Sequence, residues 1–517
     1  MKNLLLLLLL PFLLFQCKNE KTEKVEDSTE AHLGKIEITV TGDEKAQPLF
    51  QEGLLLLHSF EFEDAAEKFV EAQNIDSNFV MAYWGEAMSF NHPLWRERYT
   101  DDGRAALNKL AATADERLAM VQTDFEKDLL QGVEILYKEG DKKELDVEYK
   151  DHMETLYKKY PGNHEVAAFY ALSLLGSASG GRDYETYGKG AIIAQGIIDE
   201  NPNHPGALHY LIHSYDDPEH ASLALEAANS YSKVAPDAEH ALHMPSHIYV
   251  AMGMWDEVIS SNIASYNASV ARMKKKELDA DARGYHAFKW LMYGYLQKGN
   301  FEKAREMVYD MKKYCEEKPS SRARSHFIMM QGAYLAESEN WEDSIAMATV
   351  ELEKLNIVTK GVQHFTQGMR AYNNKDKDGL TESIKAISRL RLDGEESMTD
   401  GAPKMCSGVS RYLQPPSVNE VNSTKVLEYE LNALLAMLND DENRAEEWLE
   451  EATVLEAETT FNYGPPNIVK PSFELYGEFL LKKNKLAEAK AQFEKVLERA
   501  PKRLLAIQGL EKTKMGS

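Results

Sequence analysis

A helical pattern that repeats along the chain constrains the fold of this protein more than any other sequence feature. In the clearest unit, which is the last, apolar and small residues recur at helical spacing and the unit ends at Pro501. Small side chains at Gly477 and Ala489 let two helices touch, while Phe473 and Phe493 fill the space beside them. The unit therefore predicts a helix, a turn and a second helix packed back on the first.

The same offsets return over most of the chain. Two central units end at Pro202 and Pro236, which stand 34 residues apart. Residues at matching offsets elsewhere are Gly53, Leu56, Phe62, Ala65, Phe69 and Ala72; Phe288, Tyr295, Gly299, Phe301 and Ala304; Gly332, Leu335 and Trp341; and Ala445, Leu449 and Ala452. A 34-residue helix-turn-helix is the tetratricopeptide pattern. We therefore predict an all-α fold, an α-solenoid of tetratricopeptide-like repeats whose first helices line a concave groove.

The N-terminal sequence has the features of an export signal. Residues 1–16 carry a lysine and then an unbroken Leu/Phe-rich run, which is shorter than the ~20 residues of a membrane span. This run ends at Cys17, and Leu14-Phe15-Gln16-Cys17 looks like a relaxed lipobox. We predict a signal peptide over 1–16, lipidation of Cys17, and a location in the cell envelope of a Gram-negative bacterium, anchored by lipid to the periplasmic or the surface face of the outer membrane.

Composition and the repeat pattern divide the rest of the chain into a stalk, two blocks of repeats and a loop. The charged, poorly apolar residues up to 43 predict a flexible stalk over 17–43. Residues 44–392 form the predicted N-terminal and central solenoid, 393–422 a long Gly/Pro/Ser loop, and 423–517 the C-terminal repeats. Asp plus Glu total 84 against 59 for Lys plus Arg, a net charge of −25 that argues against a nucleic-acid partner. Three cysteines are too few for a disulfide scaffold or a thiolate zinc cluster.

Histidines concentrate in the centre of the chain. Of 15 in all, seven lie in one short segment: His204, His209, His213, His220, His240, His243 and His247. His209 and His213 are four residues apart and so share a helix face, and His243 and His247 repeat that spacing. The second pair follows the first by 34 residues, the repeat period. Counting each repeat so that its closing proline is position 32, both pairs fall at positions 5 and 9 of a first helix.

This register predicts a metal site. Packed helices lie about 8–10 Å apart, so four imidazoles from neighbouring first helices can converge on one transition-metal ion such as Zn, Cu or Fe. Asp216 is placed to complete the ligand shell or to orient an imidazole from behind. His240 and His286 at position 2 of their repeats, and Glu86 at position 9, are further predicted groove residues. The alternative is that the histidines are hydrogen-bond donors for a ligand, or pack against tyrosines.

Several strings resemble a group of bacterial secreted tetratricopeptide-repeat proteins. They are AYWGEAM (82–88), NHPLW (91–95), HPGALHYLIH (204–213), HALHMPSHI (240–248) and YGPP (463–466). The resemblance covers nearly all of the chain after the leader, and it implies the repeat fold and export but no reaction.

Two classes of function stay open from the sequence. The first is a membrane-anchored binding module that holds a protein, peptide or small molecule in its groove and a transition metal on its histidines. The second is a metal-dependent enzyme, a hydrolase or oxidase, that uses the same histidines.

Overall fold

The structure, a computed structural model, describes residues 32–178, 182–398, 415–460 and 464–515. The predicted signal peptide and the predicted lipidation site Cys17 lie outside these residues. Within them, no helix is both long and apolar enough to cross a membrane.

Helices make up most of the fold. The α-helices are α1 (Gln47–His58), α2 (Phe62–Ile75), α3 (Val80–Met88), α4 (Thr100–Leu110), α5 (Ala114–Met120), α6 (Asp124–Tyr137), α7 (Lys142–Lys159), α8 (His164–Ser177), α9 (Tyr184–Glu200), α10 (Pro205–Ser214), α11 (Leu225–Val234), α12 (Glu239–His243), α13 (Pro245–Ala251), α14 (Trp255–Lys275), α15 (Tyr285–Gln297), α16 (Phe301–Glu317), α17 (Ser321–Ser338), α18 (Ile357–Asn373), α19 (Lys377–Ser397), α20 (Val418–Leu438), α21 (Glu442–Glu458), α22 (Ser472–Lys482), α23 (Leu486–Arg499) and α24 (Leu504–Met515). Short 3₁₀ segments lie at Ala221–Ala224, Ala280–Ala282 and Ser344–Met347.

These helices pack as successive antiparallel pairs. Each first helix contacts its own second helix, as α10 does with α11 and α22 with α23, and first helices also contact one another, as α10 does with α8 and α13. The predicted fold class is confirmed: the chain is an all-α solenoid of tetratricopeptide-like repeats. Because consecutive first helices touch, side chains at equivalent positions of neighbouring repeats can meet.

Small residues and tight turns explain the pairing. A Cβ added at Gly477 would lie 2.8 Å from Cζ of Phe493, so only glycine lets α22 and α23 approach this closely. Several turns within repeats use a residue with positive φ: Gly253, Gly299 and Asn484 have φ of 64°, 73° and 58°.

One element departs from the helical prediction. Residues Asn91–His92 (β1) pair antiparallel with Glu97–Arg98 (β2), around a turn that contains Pro93. The two strands are two residues each, too short for a period-2 pattern to show in the sequence.

The stalk predicted for 17–43 is wrong for residues 32–43. Leu33 and Val40 are buried, and the backbone N–H of Lys35 donates to the carbonyl of Asn203 at 2.8 Å. Thr41 Oγ1 also donates to a carboxylate oxygen of Glu126 at 3.1 Å. Apolar residues alternate with polar ones here, which suits an extended segment lying on a surface. The charged residues before it masked that pattern in the composition.

The loop predicted for 393–422 is wrong at both ends. Helix α19 continues to Ser397 and α20 begins at Val418, where Ser417 and Glu420 form a capping box. Gly394 does not end α19, because its missing side chain makes room for Ile357. Residues 399–414 lie outside the described part of the chain.

Candidate metal centre

The four predicted histidines lie on neighbouring first helices. His209 and His213 are on α10, while His243 ends α12 and His247 lies on α13. Adjacent ring centroids are 4.9 Å apart for His209–His213, 5.4 Å for His213–His247 and 5.2 Å for His243–His247. All four side chains are at most 2% exposed. The four rings thus form one buried, continuous row.

Pro245 shapes the second pair. It separates α12 from α13 because it lacks the N–H that an uninterrupted helix needs. Ser246 Oγ donates to the backbone carbonyl of His243 at 2.7 Å, so this carbonyl is satisfied beside the break.

Two partly exposed histidines complete the row. Nε2 of His240 lies 3.2 Å from Nε2 of His209, and the ring of His286, on α15, lies 4.6 Å from that of His243. Both residues were predicted as groove residues rather than as ligands.

The six rings divide into two sets of three. We call His209, His213 and His240 the first triad, and His243, His247 and His286 the second triad. Within each triad, one ring nitrogen from every residue lies within 4.8 Å of the other two. Each pair is thus joined by a histidine of the next first helix. Ligand atoms of His213, Asp216 and His247 also lie within 4.8 Å of one another, so one histidine of each predicted pair meets the other beside Asp216. The convergence of all four imidazoles on one ion stays a prediction.

Asp216 lies between the two triads. Its Oδ2 is 3.1 Å from Nδ1 of His247 and 3.4 Å from Nδ1 of His213. The Arg182 guanidinium pairs with the other oxygen, Oδ1. Burial by itself raises the pKa of Asp216, but Arg182 and the two imidazoles outweigh it and hold the pKa below its usual range. An ionised carboxylate on both Nδ1 atoms suits the orienting role rather than the ligand role.

Hydrogen bonds assign the protons of two more rings. His209 Nδ1 donates to the carbonyl of His58 at 2.8 Å, and His243 Nδ1 donates to Oδ1 of Asn262 at 2.7 Å. The Asn262 amide is oriented in turn, because its Nδ2 donates to the carbonyl of Val258 at 2.8 Å. In a neutral imidazole the other nitrogen then carries a lone pair. Nε2 of His209 uses this lone pair to accept from Nε2 of His240 at 3.2 Å, whereas Nε2 of His243 is available as a ligand.

The second triad contains two buried ring nitrogens that make no hydrogen bond within the described part of the chain. Nε2 of His243 and Nε2 of His286 are buried and have no hydrogen-bond partner among the described residues. Buried polar atoms in folded proteins are almost always satisfied, and an exception calls for a reason such as a bound ion.

Burial also favours the neutral form of several rings. It lowers the pKa of His209, His213, His240, His243 and His286. For His240 and His243 the neighbouring histidines lower the pKa further. A neutral imidazole is the form that binds a metal, so these rings do not have to lose a proton at neutral pH.

Aromatic side chains enclose the row at both ends. The Trp290 ring centroid lies 4.6 Å from that of His247, and Gly464 packs so closely that an added Cβ would clash with Trp290. At the other end Phe60 lies 4.3 Å from His209. Phe60 occupies the α1–α2 turn with φ of 58°, a conformation that bulky residues rarely adopt. These rings pack against the imidazoles near the two ends of the row.

A second histidine cluster is satisfied without an ion. Glu165 accepts from Nε2 of His58 at 2.7 Å and from Nε2 of His204 at 3.2 Å. Tyr210 donates to Nδ1 of His58, and the N–H of Ala207 donates to Nδ1 of His204. Since every ring nitrogen has a partner, this buried network supports the packing of α1, α8 and α10 and has no lone pair to spare for a metal.

Glu86 is not part of the array. It is buried in the first repeats, where it accepts from Nε2 of Gln73 at 2.8 Å and pairs with Lys109.

Sequence reasoning also missed three neighbours of the array, namely Arg182, Asn262 and Trp290. Arg182 follows a glycine-rich stretch and Trp290 follows His286 by one helical turn, which are weak signals. Asn262 has none, because it reaches His243 from α14.

Comparisons with known proteins give distant structural likenesses. No family model matches the chain, and no curated protein matches it. Among solved structures, the APC/C hetero-tetramer Cut9–Hcn1 shares 13% identity, with 93% of this chain and 78% of that chain covered and a TM-score of 0.36. Yeast Tom70 shares 13% identity over 92% and 96%, with a TM-score of 0.32. The P58(IPK) TPR domain shares 13% identity over 91% and 98%, with a TM-score of 0.21.

Proposed function

We propose that this protein is a transition-metal-binding tetratricopeptide solenoid, tethered to a cell-envelope membrane through Cys17. The single observation that carries the metal-binding part is the pair of buried Nε2 atoms of His243 and His286, which lack partners among the described residues. An ion bound there would supply the missing interaction to both. Neutral imidazoles favour Zn, Cu or Fe over Mg or Ca, which prefer oxygen ligands.

The solenoid supports a binding role. Stacked repeats present an extended surface that commonly holds a protein or peptide, and a small-molecule ligand on the metal is compatible with the same surface. The acidic balance of the chain argues against nucleic acid as the partner. The proposed tether rests on the lipobox-like sequence that ends at Cys17.

A metal-dependent enzyme, a hydrolase or oxidase, is the second candidate. The observation that favours it is the number of ligands: each triad offers three imidazoles, and three-ligand metal sites keep a coordination position open for water or substrate. A bound metal would lower the pKa of its water and so supply a nucleophile at neutral pH. Asp216 would hold His213 and His247 in the ligating orientation, and the aromatic walls would limit access of bulk water.

Metal content tests the first proposal. The full-length chain, purified in detergent and stripped with a chelator, is exposed separately to Zn²⁺, Cu²⁺ and Fe²⁺, dialysed and analysed for metal per chain. We expect stoichiometric retention of at least one of these metals, and a loss of bound metal in His213→Ala and in His247→Ala. A wild-type chain that retains no metal would overturn the proposal.

His220→Ala is the matched control. His220 lies in the same histidine-rich segment, but its Nδ1 is hydrogen bonded to Asp217 at 2.9 Å and it belongs to neither triad. We expect this variant to retain metal as the wild type does. Hydrolysis of p-nitrophenyl acetate by the loaded wild type, compared with the loaded His220→Ala and His247→Ala variants, tests for hydrolase activity.

A further inference from the structure

The two triads are built in the same way from successive repeats. The first triad takes positions 5 and 9 of α10 and position 2 of the next first helix, which begins with α12. The second triad takes positions 5 and 9 of α12–α13 and position 2 of α15. A structural repeat that forms a ligand set once forms it again one repeat later, provided that the residues are present.

We propose that the array is a two-ion centre, with one transition-metal ion on the first triad and a second ion on the second triad. This inference rests on the proposed metal-binding function and goes beyond it, because that function requires only one ion.

Distances within the triads support a separate ion on each. A tetrahedral ion with bonds of about 2.0–2.1 Å to nitrogen holds its ligands about 3.3 Å apart. Nε2 of His209 and Nε2 of His240 are already 3.2 Å apart. In the second triad, the unpartnered Nε2 atoms belong to His243 and His286, whose ring centroids are 4.6 Å apart. Each triad therefore contains a close pair of rings of its own.

Contacts between the triads are made through a shared carboxylate rather than through a close pair of Nε2 atoms. The ring centroids of His240 and His243 are 6.2 Å apart, whereas those of His209 and His240 are 5.0 Å apart and those of His243 and His286 are 4.6 Å apart. His213 and His247 approach each other through their Nδ1 atoms, which share Oδ2 of Asp216. One carboxylate thus orients one ligand of each ion.

The repeat after the second triad lacks the histidine pair that a third triad would need. With His286 at position 2 of α15, positions 5 and 9 of that helix are Lys289 and Tyr293. His326, on α17, lies at position 2 of the following repeat. Lys289 in its ammonium form has no lone pair for a metal. The Tyr293 hydroxyl accepts from Arg503 at 3.1 Å, and His326 Nδ1 donates to the carbonyl of Arg322 at 2.8 Å. The third set therefore lacks the imidazole pair.

Metal stoichiometry in four chains tests this inference. They are the wild type, His240→Ala, His286→Ala and His326→Ala, each loaded with Co²⁺ and measured by elemental analysis and visible absorption. His240 and His286 are partly exposed members of their triads, so their removal should spare the fold. His326 is the matched control, because it occupies the same repeat position but belongs to neither triad. Thermal unfolding of each metal-free variant checks that it is folded.

We expect two Co²⁺ per chain in the wild type and in His326→Ala, and one in each of the other two variants. A wild-type stoichiometry of one would overturn the two-ion centre and leave the proposed function standing. A stoichiometry of zero would overturn both. Loss of an ion in His326→Ala, or loss of both ions in either of the other variants, would also contradict two separate triads. The wild-type titration decides between one ion and two without reference to any variant.

Discussion

Nδ1 of His243 donates a hydrogen bond of 2.7 Å to Oδ1 of Asn262, a fully buried residue on the neighbouring helix α14. This contact holds the ring in the tautomer whose lone pair is on Nε2. We expect Asn262→Leu, which keeps the volume and removes the acceptor, to weaken the second ion about 10–100-fold. Competition with a chromophoric chelator measures both affinities. The first ion is the internal control, and an equal loss at both sites would contradict the assignment.

Asp216→Asn should act on both ions. The substitution keeps the shape of the side chain but removes the negative charge that faces Nδ1 of His213 and of His247. We expect both affinities to fall about 10–100-fold. Asp217→Asn is the matched control, because Asp217 is equally buried and also pairs with Arg182 but contacts neither triad ring. Equal effects of the two substitutions would show that only the Arg182 pairing matters.

Lys289→Met should stabilise the metal-free protein at neutral pH. Burial lowers the pKa of Lys289 to about 8, and no ion pair to it is found in the described part of the chain. In the unfolded chain the lysine ammonium keeps its proton up to about pH 10.5. The unfolded state therefore takes up a proton before the folded state does, and the free energy of unfolding falls as the pH drops from about 10.5 to about 8. We expect the Lys289→Met substitution to raise the free energy of unfolding at pH 7 by on the order of 1–3 kcal/mol.

The gain from Lys289→Met should disappear above about pH 10.5, where lysine is neutral in both states. Urea unfolding of the wild type and the variant at pH 7 and pH 11 measures this. Removal of the nearby positive charge should also strengthen the second ion, since Lys289 lowers the pKa of His243 and His286 by repulsion. A gain that is the same at both pH values would point to packing rather than charge.

Glu165→Ala should damage stability rather than metal binding. The carboxylate is 1% exposed and accepts from both His58 and His204, so its loss leaves two buried N–H groups without an acceptor. Each buried donor left without an acceptor costs about 1–3 kcal/mol. Urea unfolding should show that loss, while folded protein should retain its full metal content. Loss of metal from folded Glu165→Ala would show that this network takes part in the site.

Thiol counting tests the lipid tether. The chain has three cysteines, Cys17, Cys315 and Cys406. Thioether-linked lipid on Cys17 would leave two titratable thiols in urea, whereas an unmodified chain that retains Cys17 would show three. Burial raises the pKa of the Cys315 thiol to about 11, so we expect this residue to react with iodoacetamide only after unfolding. Membrane-purified protein with three thiols would contradict lipidation.

The repeat period allowed most of the fold to be predicted. Because each repeat buries its core through the same local offsets, the residues around Gly477 and Phe493 determine a helix pair without reference to the rest of the chain. The errors lie where packing overrides composition. Leu33 and Val40 are buried and hold down a segment whose charged neighbours in the sequence suggested a stalk. Gly394 lies inside a helix, where its missing side chain leaves room for Ile357 of the neighbouring helix.

The candidate site shows the same division. The sequence alone determined that His209 and His213 share a helix face and that a second pair follows one repeat later, because both statements depend only on spacing along a helix. Only the tertiary structure decided how the imidazoles are grouped, since His240 and His286 reach the pairs from the next repeats. It also decided which ring nitrogens carry protons, because the partners Asp216 and Asn262 reach the rings from outside the register of the two pairs, and no periodicity records a contact of that kind.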